Sequence, residues 1–120
     1  MGPIFVTGGT GYLGVPLIEA LCARSYSVHA LVRPGSAGKL PPGAIPVVGS
    51  ALESASFDVA IPPGATVIHL VGTPHSNPTR AAEFRRVDLA SVQATVAAAR
   101  RAAAKHIVYV SVAHPAPVKA

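Results

Sequence analysis

Tryptophan is absent from this sequence, and phenylalanine and tyrosine contribute only three residues each. A single-stranded nucleic acid groove needs aromatic platforms for its bases, and few are available here. Acidic residues are also scarce, five against ten Lys and Arg, which leaves a net charge of +5. That excess suits an anionic ligand, but the basic residues are scattered and form no stripe, so no nucleic acid partner is expected. Cys22 is the sole cysteine and cannot form an internal disulfide, as fits a reducing cytosol. It falls in an apolar helical pattern and reads as a packed core thiol. No apolar run approaches the roughly 20 residues of a membrane span. Met1 to Val6 carries no basic region or cleavage site, and Val6 stands where a myristoylation signal requires Ser or Thr. No group of residues has zinc or calcium ligand spacing, so no metal is expected. The expectation is a cytoplasmic protein without a membrane partner.

Half of the residues are apolar and 12% are charged, the balance of a globular chain, and residues 1–120 fit one domain. Short apolar runs alternate with helical or linking stretches. Ile4–Thr7 is a continuous apolar run ended by glycines, and predicts a strand buried on both faces. Leu13, Leu17, Ile18, Leu21 and Cys22 recur at helical steps, predicting a helix over 12–24, with Pro16 about a turn inside it. Further strands are predicted over 28–32, 45–48, 66–71 and 106–111. The Pro- and Gly-rich stretch 34–43 is a loop, and 52–60 holds at most a short helix. A long helix is expected from Asn77 or Thr79 to about Ala104, with Phe84, Val87, Ser91, Val92, Thr95, Val96, Ala99 and Ala103 on its buried face. Strands alternating with crossovers predict a parallel sheet in the order 3-2-1-4-5, an α/β, Rossmann-like, doubly wound arrangement.

The chemistry gathers at the first strand-to-helix turn, Thr7-Gly8-Gly9-Thr10-Gly11-Tyr12-Leu13-Gly14. Gly8 lets the chain turn off the strand, Gly11 lets backbone approach a pyrophosphate, and Gly14 allows the helix to pack on the sheet. The helix start supplies unpaired N–H groups and roughly half a positive charge. Gly8, Thr10, Gly11, Tyr12, Leu13 and Gly14 are thus candidate contacts for a dinucleotide. No Asp or Glu occurs between Glu19 and Glu53, although an NAD site usually places an acid after the second strand for the ribose hydroxyls. Arg33 takes that place. A guanidinium there can clamp a 2′-phosphate, with Lys39 assisting, which favours NADP over NAD.

Val6-Thr7-Gly8-Gly9-Thr10-Gly11-Tyr12-Leu13-Gly14 resembles the signature of the extended and atypical short-chain dehydrogenases/reductases. Leu31-Val32-Arg33, Val67-Ile68-His69-Leu70-Val71-Gly72 and Ile107-Val108-Tyr109-Val110-Ser111 are similar to the strand ends of NAD-dependent epimerase/dehydratases and NmrA-like proteins. The resemblance implies adenine and ribose contacts around Arg33, Ala51 and Leu52, and nicotinamide-side contacts around Leu70, Val71, Gly72 and Ser111. Three departures stand out. Ser50 replaces the acid that often follows strand three. The usual catalytic Ser or Thr position falls at Val112, leaving Ser111, one step early, as the catalytic candidate. The family's Tyr-x-x-x-Lys pair is missing: Pro115 stands four residues before Lys119, and Ala113 four after Tyr109. An isolated tyrosine, with a pKa of about 10, is a poor proton-transfer group at neutral pH.

Members of such families usually continue past strand five into a helix, another strand and a substrate lobe, so the chain is expected to be C-terminally truncated or a minimal domain. Two readings stay open: a dinucleotide-binding or redox-sensing module without its own catalysis, or an NADP-dependent oxidoreductase or sugar-nucleotide epimerase/dehydratase whose catalytic part lies beyond this chain. A homo-oligomer is expected through the long helix, by way of Ala90, Ala94, Ala97 and Ala98, or through an exposed sheet edge. His69 reads as a packed core residue, while His75 and His114 would overlook the carboxyl edge of the sheet.

Overall fold

The computed structural model describes residues 2–70 and 81–110, the side chains of 81–85 excepted. In chain order the elements are β1 (Ile4–Thr7), α1 (Gly14–Ala23), β2 (Val28–Val32), β3 (Ile45–Val48), β4 (Thr66–His69), α2 (Ala81–Arg101) and β5 (His106–Tyr109). All five strands pair in parallel in the order β3-β2-β1-β4-β5, as the alternation of elements predicts. The register sets Thr7 opposite His69, and His69 opposite Tyr109, so three neighbouring strands end level with one another.

Alternation along each strand divides the core into two faces. Ile4, Val6, Val28 and Ala30 pack with Ile18 of α1 on one side. Phe5, Leu31 and Val67 pack with Ala98 and Ala99 of α2 on the other. Phe57 fills much of that second face, stacked on Phe5 with ring centroids 5.8 Å apart. It comes from the β3–β4 crossover, where the expected short helix is two separate 3-10 turns, Ser54–Ser56 and Asp58–Ala60. Serine chemistry explains the difference. Ser56 Oγ donates to the Glu53 carbonyl at 2.7 Å and accepts from the Ser50 amide at 2.9 Å, so local bonds compete with a regular helix. Arg101 at the end of α2 ties this crossover down, donating to Asp58 at 3.1 Å and to Ser54 Oγ at 3.0 Å.

Two helix readings are corrected. Pro16 is the third residue of α1, not a full turn inside it, so its missing N–H is one that has no intrahelical partner anyway. In α2, which ends at Arg101 rather than near Ala104, the buried stripe is Ser91, Ala94, Thr95, Ala98 and Ala99, whereas Val87 is exposed, Val92 and Val96 are only half-buried, and Ala103 lies exposed past the helix end. Ala94 and Ala98, expected to face a partner, pack inside this chain. Their small side chains let the helix sit close to the sheet, and two hydroxyls are buried with them. The predicted helix start at Asn77 or Thr79 lies outside the described residues. Both helices end with a residue in the left-handed region, Ser25 and Ala103, closed by paired bonds such as Tyr26 N–H to Leu21 O at 3.1 Å and Ala104 N–H to Ala99 O at 2.9 Å.

The two sheet edges differ. Both expose apolar residues, Ile45 and Val48 on β3 and Ile107, Val108 and Tyr109 on β5. Pro46 interrupts the donors of β3. The described part of β5 has no proline and is exposed along its whole length.

Candidate functional site

The glycine loop connects β1 to α1 and closes on itself. Gly8 has φ +78°, which a side chain would resist, and its carbonyl accepts from the Gly11 amide at 3.2 Å. Gly14 is held for a different reason than the sequence suggests. A Cβ there would strike the Gly8 carbonyl oxygen and lie 2.7 Å from the Gly9 backbone, so the close approach is within the loop rather than between helix and sheet. The packing contact falls instead to Gly9, whose Cβ would come within 2.8 Å of Ile18. The outer face of Gly11 is open apart from the Gly8 carbonyl at 3.4 Å, leaving its backbone approachable.

The start of α1 suits an anion. No side chain caps it, and its first turn holds no acidic residue to compete for the positive end of the helix dipole. Above the carboxyl ends of β1 and β2, the loop forms one wall of a cleft of about 360 Å³, within the ordinary size range of small-ligand sites. Gly8, Thr10 and Gly11 line it on one side, Arg33 and Lys39 on another, and Ala51 and Leu70 complete it. Four lining residues escaped the sequence reading: Leu31, Val32, Ser36 and Gly49. Ser36 arrives through two successive turns, its amide donating to Arg33 O and its carbonyl accepting from Lys39 N–H, both at 3.0 Å. Those turns bring Arg33, Ser36 and Lys39 onto one wall. No carboxylate lines the cleft among the described residues, so its cations are free of local competition. An open backbone loop, a helix start without a cap and two cations fit the pyrophosphate and ribose phosphate of a dinucleotide.

Not every predicted residue joins the lining. Tyr12 is 95% exposed, Leu13 and Leu52 are exposed beside the cleft, and Gly14 is buried behind the loop. Val71, Gly72 and Ser111 lie outside the described residues, as do His75 and His114.

Beneath the cleft, on the α2 face of the sheet, is a buried polar cluster. His69, 2% exposed, has Nδ1 at 2.7 Å from Thr7 Oγ1 and 3.1 Å from Thr95 Oγ1, and Nε2 at 3.4 Å from Ser91 Oγ. Tyr109 stacks against the imidazole at a centroid distance of 5.7 Å. The bland core reading of His69 captures its burial and misses these partners. Burial disfavours the imidazolium and holds the pKa of His69 below its ordinary 6.5, against a smaller opposing pull from Asp88. A base with a lowered folded-state pKa binds fewer protons than in the unfolded chain below pH 6.5. Its contribution to stability is therefore complete above that pH and is lost as pH falls through the folded-state value. Urea midpoints measured across that range are expected to drop on the acid side, with a shallower drop in His69→Gln; identical slopes would sink this assignment.

With this geometry, the relatives place the chain. Residues 4–119 match the NAD dependent epimerase/dehydratase family, and the chain belongs to that family. It is 36% identical over 109 residues to a 4-hydroxy-2-methyl-3-oxo-4-farnesyl-3,4-dihydroquinoline-1-oxide ketoreductase of Stigmatella aurantiaca, covering 89% of this chain and 32% of that protein. It is 35% identical over 79 residues to a decarboxylating sterol-4-alpha-carboxylate 3-dehydrogenase of Dictyostelium discoideum, covering 64% of this chain and 24% of that one. The chain thus spans about a third or less of these relatives. Among solved structures, the Bordetella bronchiseptica enzyme WbmG in complex with NAD and UDP superposes with a TM-score of 0.70 at 24% identity, over 88% of this chain and 36% of that one. A UDP-galactose 4-epimerase gives 0.76 at 21%, over 89% and 37%. At such identities these structures speak for the fold alone.

Proposed function

We propose that this chain is the NADP(H)-binding part of an oxidoreductase that moves a hydride between the nicotinamide and a carbonyl or hydroxyl carbon. A bound nicotinamide dinucleotide supplies the hydride acceptor or donor; this chain's residues bind and orient it. The observation that carries the reading is the cleft in which the glycine loop faces Arg33, Ser36 and Lys39 with no carboxylate among its described lining residues. Redox chemistry, rather than epimerisation, is supported by the two curated relatives, a ketoreductase and a dehydrogenase by name. Backbone donors at the start of α1 would hold the pyrophosphate, and Arg33 with Lys39 the 2′-phosphate.

A second reading is a redox-sensing role: no Tyr-x-x-x-Lys pair occurs among these 120 residues, so by themselves they would bind a dinucleotide without turning it over. Calorimetric titration checks the shared part. NADPH is expected to bind about tenfold or more tighter than NADH, the effect of a charge-assisted bond to the extra phosphate. Tighter NADH would overturn the NADP preference, and no heat from either at millimolar concentration would overturn dinucleotide binding. Steady NADPH oxidation by these residues alone would remove the sensing alternative.

A further inference from the structure

The buried cluster around His69 does something the glycine loop cannot do for itself. We propose that His69 is a positioning residue for the dinucleotide site, holding Thr7, and through it the root of the glycine loop, against α2. The inference rests on the reading of the loop as a dinucleotide site.

The hydrogen-bond donors settle the form of the ring. Ser91 Oγ gives its hydrogen to the Asp88 carbonyl at 2.8 Å, so toward His69 it acts only as acceptor. Nε2 therefore carries the ring proton, and Nδ1 is left as an acceptor between two hydroxyl donors, Thr7 and Thr95. Thr7 makes the shorter bond and is wholly buried. It is the last residue of β1, and Gly8 follows it directly. Its carbonyl also accepts from the Leu70 amide at 2.9 Å, and both Gly8 and Leu70 line the cleft. One imidazole thus joins the central strand, the neighbouring strand and the long helix where the phosphate loop begins. A neutral pair elsewhere in the sheet would hold the same strands, but not this residue.

Protonation reverses the arrangement. Nδ1 becomes a donor, and both threonine hydrogens must turn to other acceptors in a space closed to water. The groups facing the ring are few among the described residues: Asp88 from α2 is the charged one, Tyr109 from β5 is a neutral stacked ring, and β1 contributes only the Thr7 hydroxyl. Acid is therefore expected to loosen the root of the loop.

The test titrates the 120-residue chain with NAD from about pH 7.5 down to the acid limit at which the chain stays folded, NAD being chosen because a 2′-phosphate would itself titrate near pH 6. The wild type should weaken about three- to tenfold on the acid side, the worth of one hydrogen bond. Thr7→Val keeps the side-chain shape and removes the hydroxyl. It should bind NAD that much more weakly at the higher pH and show a flattened pH profile. A Thr7→Val protein with wild-type affinity and wild-type profile overturns the proposal, while a wild type that binds no NAD at any pH overturns the dinucleotide reading instead. Two-bond 1H–15N spectra of wild-type His69 give a readout that survives a misfolded variant: an unprotonated Nδ1 at the higher pH is expected, and a protonated one overturns the inference.

Discussion

Gly14→Ala is expected to destabilise the protein by about 2–4 kcal/mol and to remove dinucleotide binding. The generic expectation has the opposite sign, because glycine inside a helix costs about 1 kcal/mol relative to alanine. Local crowding decides. The new methyl group would press on the Gly8 carbonyl and lie 2.7 Å from Gly9 Cα, and backbone cannot rotate aside as a side chain can. Relief requires the loop to open, which also moves the amides proposed to hold a phosphate. Gly38→Ala is the control: no atom lies within 4 Å of the added Cβ, and its stability should be nearly unchanged. Urea unfolding with a common m-value measures the difference, and calorimetry with NADPH measures binding. A Gly14→Ala protein as stable as the parent would mean that the loop is far more compliant than its contacts indicate.

Arg33→Asp should reverse the NADP preference proposed above. The substitution removes a charge-assisted bond, about 1.5–3 kcal/mol, and sets a carboxylate against a phosphate that carries about two negative charges. It also supplies the acid that typically holds the ribose hydroxyls of NAD. The NADPH-to-NADH affinity ratio is expected to fall about a hundredfold, and most of that change should come from NADPH. Arg33 is exposed, so the effect should shrink at high salt. Arg33→Ala should give an intermediate ratio, since Lys39 stays on the same wall. An unchanged ratio in Arg33→Asp would place the 2′-position elsewhere.

The strands were legible because each is a compact apolar run with punctuation, as Ile4–Thr7 before Gly8 and Gly9. Their order followed from crossovers that admit few topologies. The phase of α2 was harder. Valines weigh heavily in any hydrophobic pattern, so Val92 and Val96 drew the buried face toward themselves. The sheet instead accepts Ala94 and Ala98, because close approach favours small side chains over large ones. Ser91 and Thr95 did fall on the predicted face, but nothing in their spacing names a histidine 22 and 26 residues away as their partner. The strand-to-helix turn was readable from its glycines, although the roles of Gly9 and Gly14 were not, since a motif records spacing and not which atoms collide. Ser36 was missed because two turns, rather than a strand or helix, carry it to the cleft.

Strand order also has a consequence for how the chain is made. Within this stretch β1 is made before the other strands, yet it is the central strand, and one of its two neighbours is β4, about 60 residues later. While β2 and β3 emerge and pair, the other side of β1 has no partner, and Phe5 lacks both Phe57 and the helix that will cover it. A half-sheet formed at that stage stays incomplete until Thr66–His69 is synthesised, and Phe5 stays uncovered until α2 follows. Substitutions that strengthen β1–β2 pairing alone would prolong the life of that intermediate rather than hasten its completion.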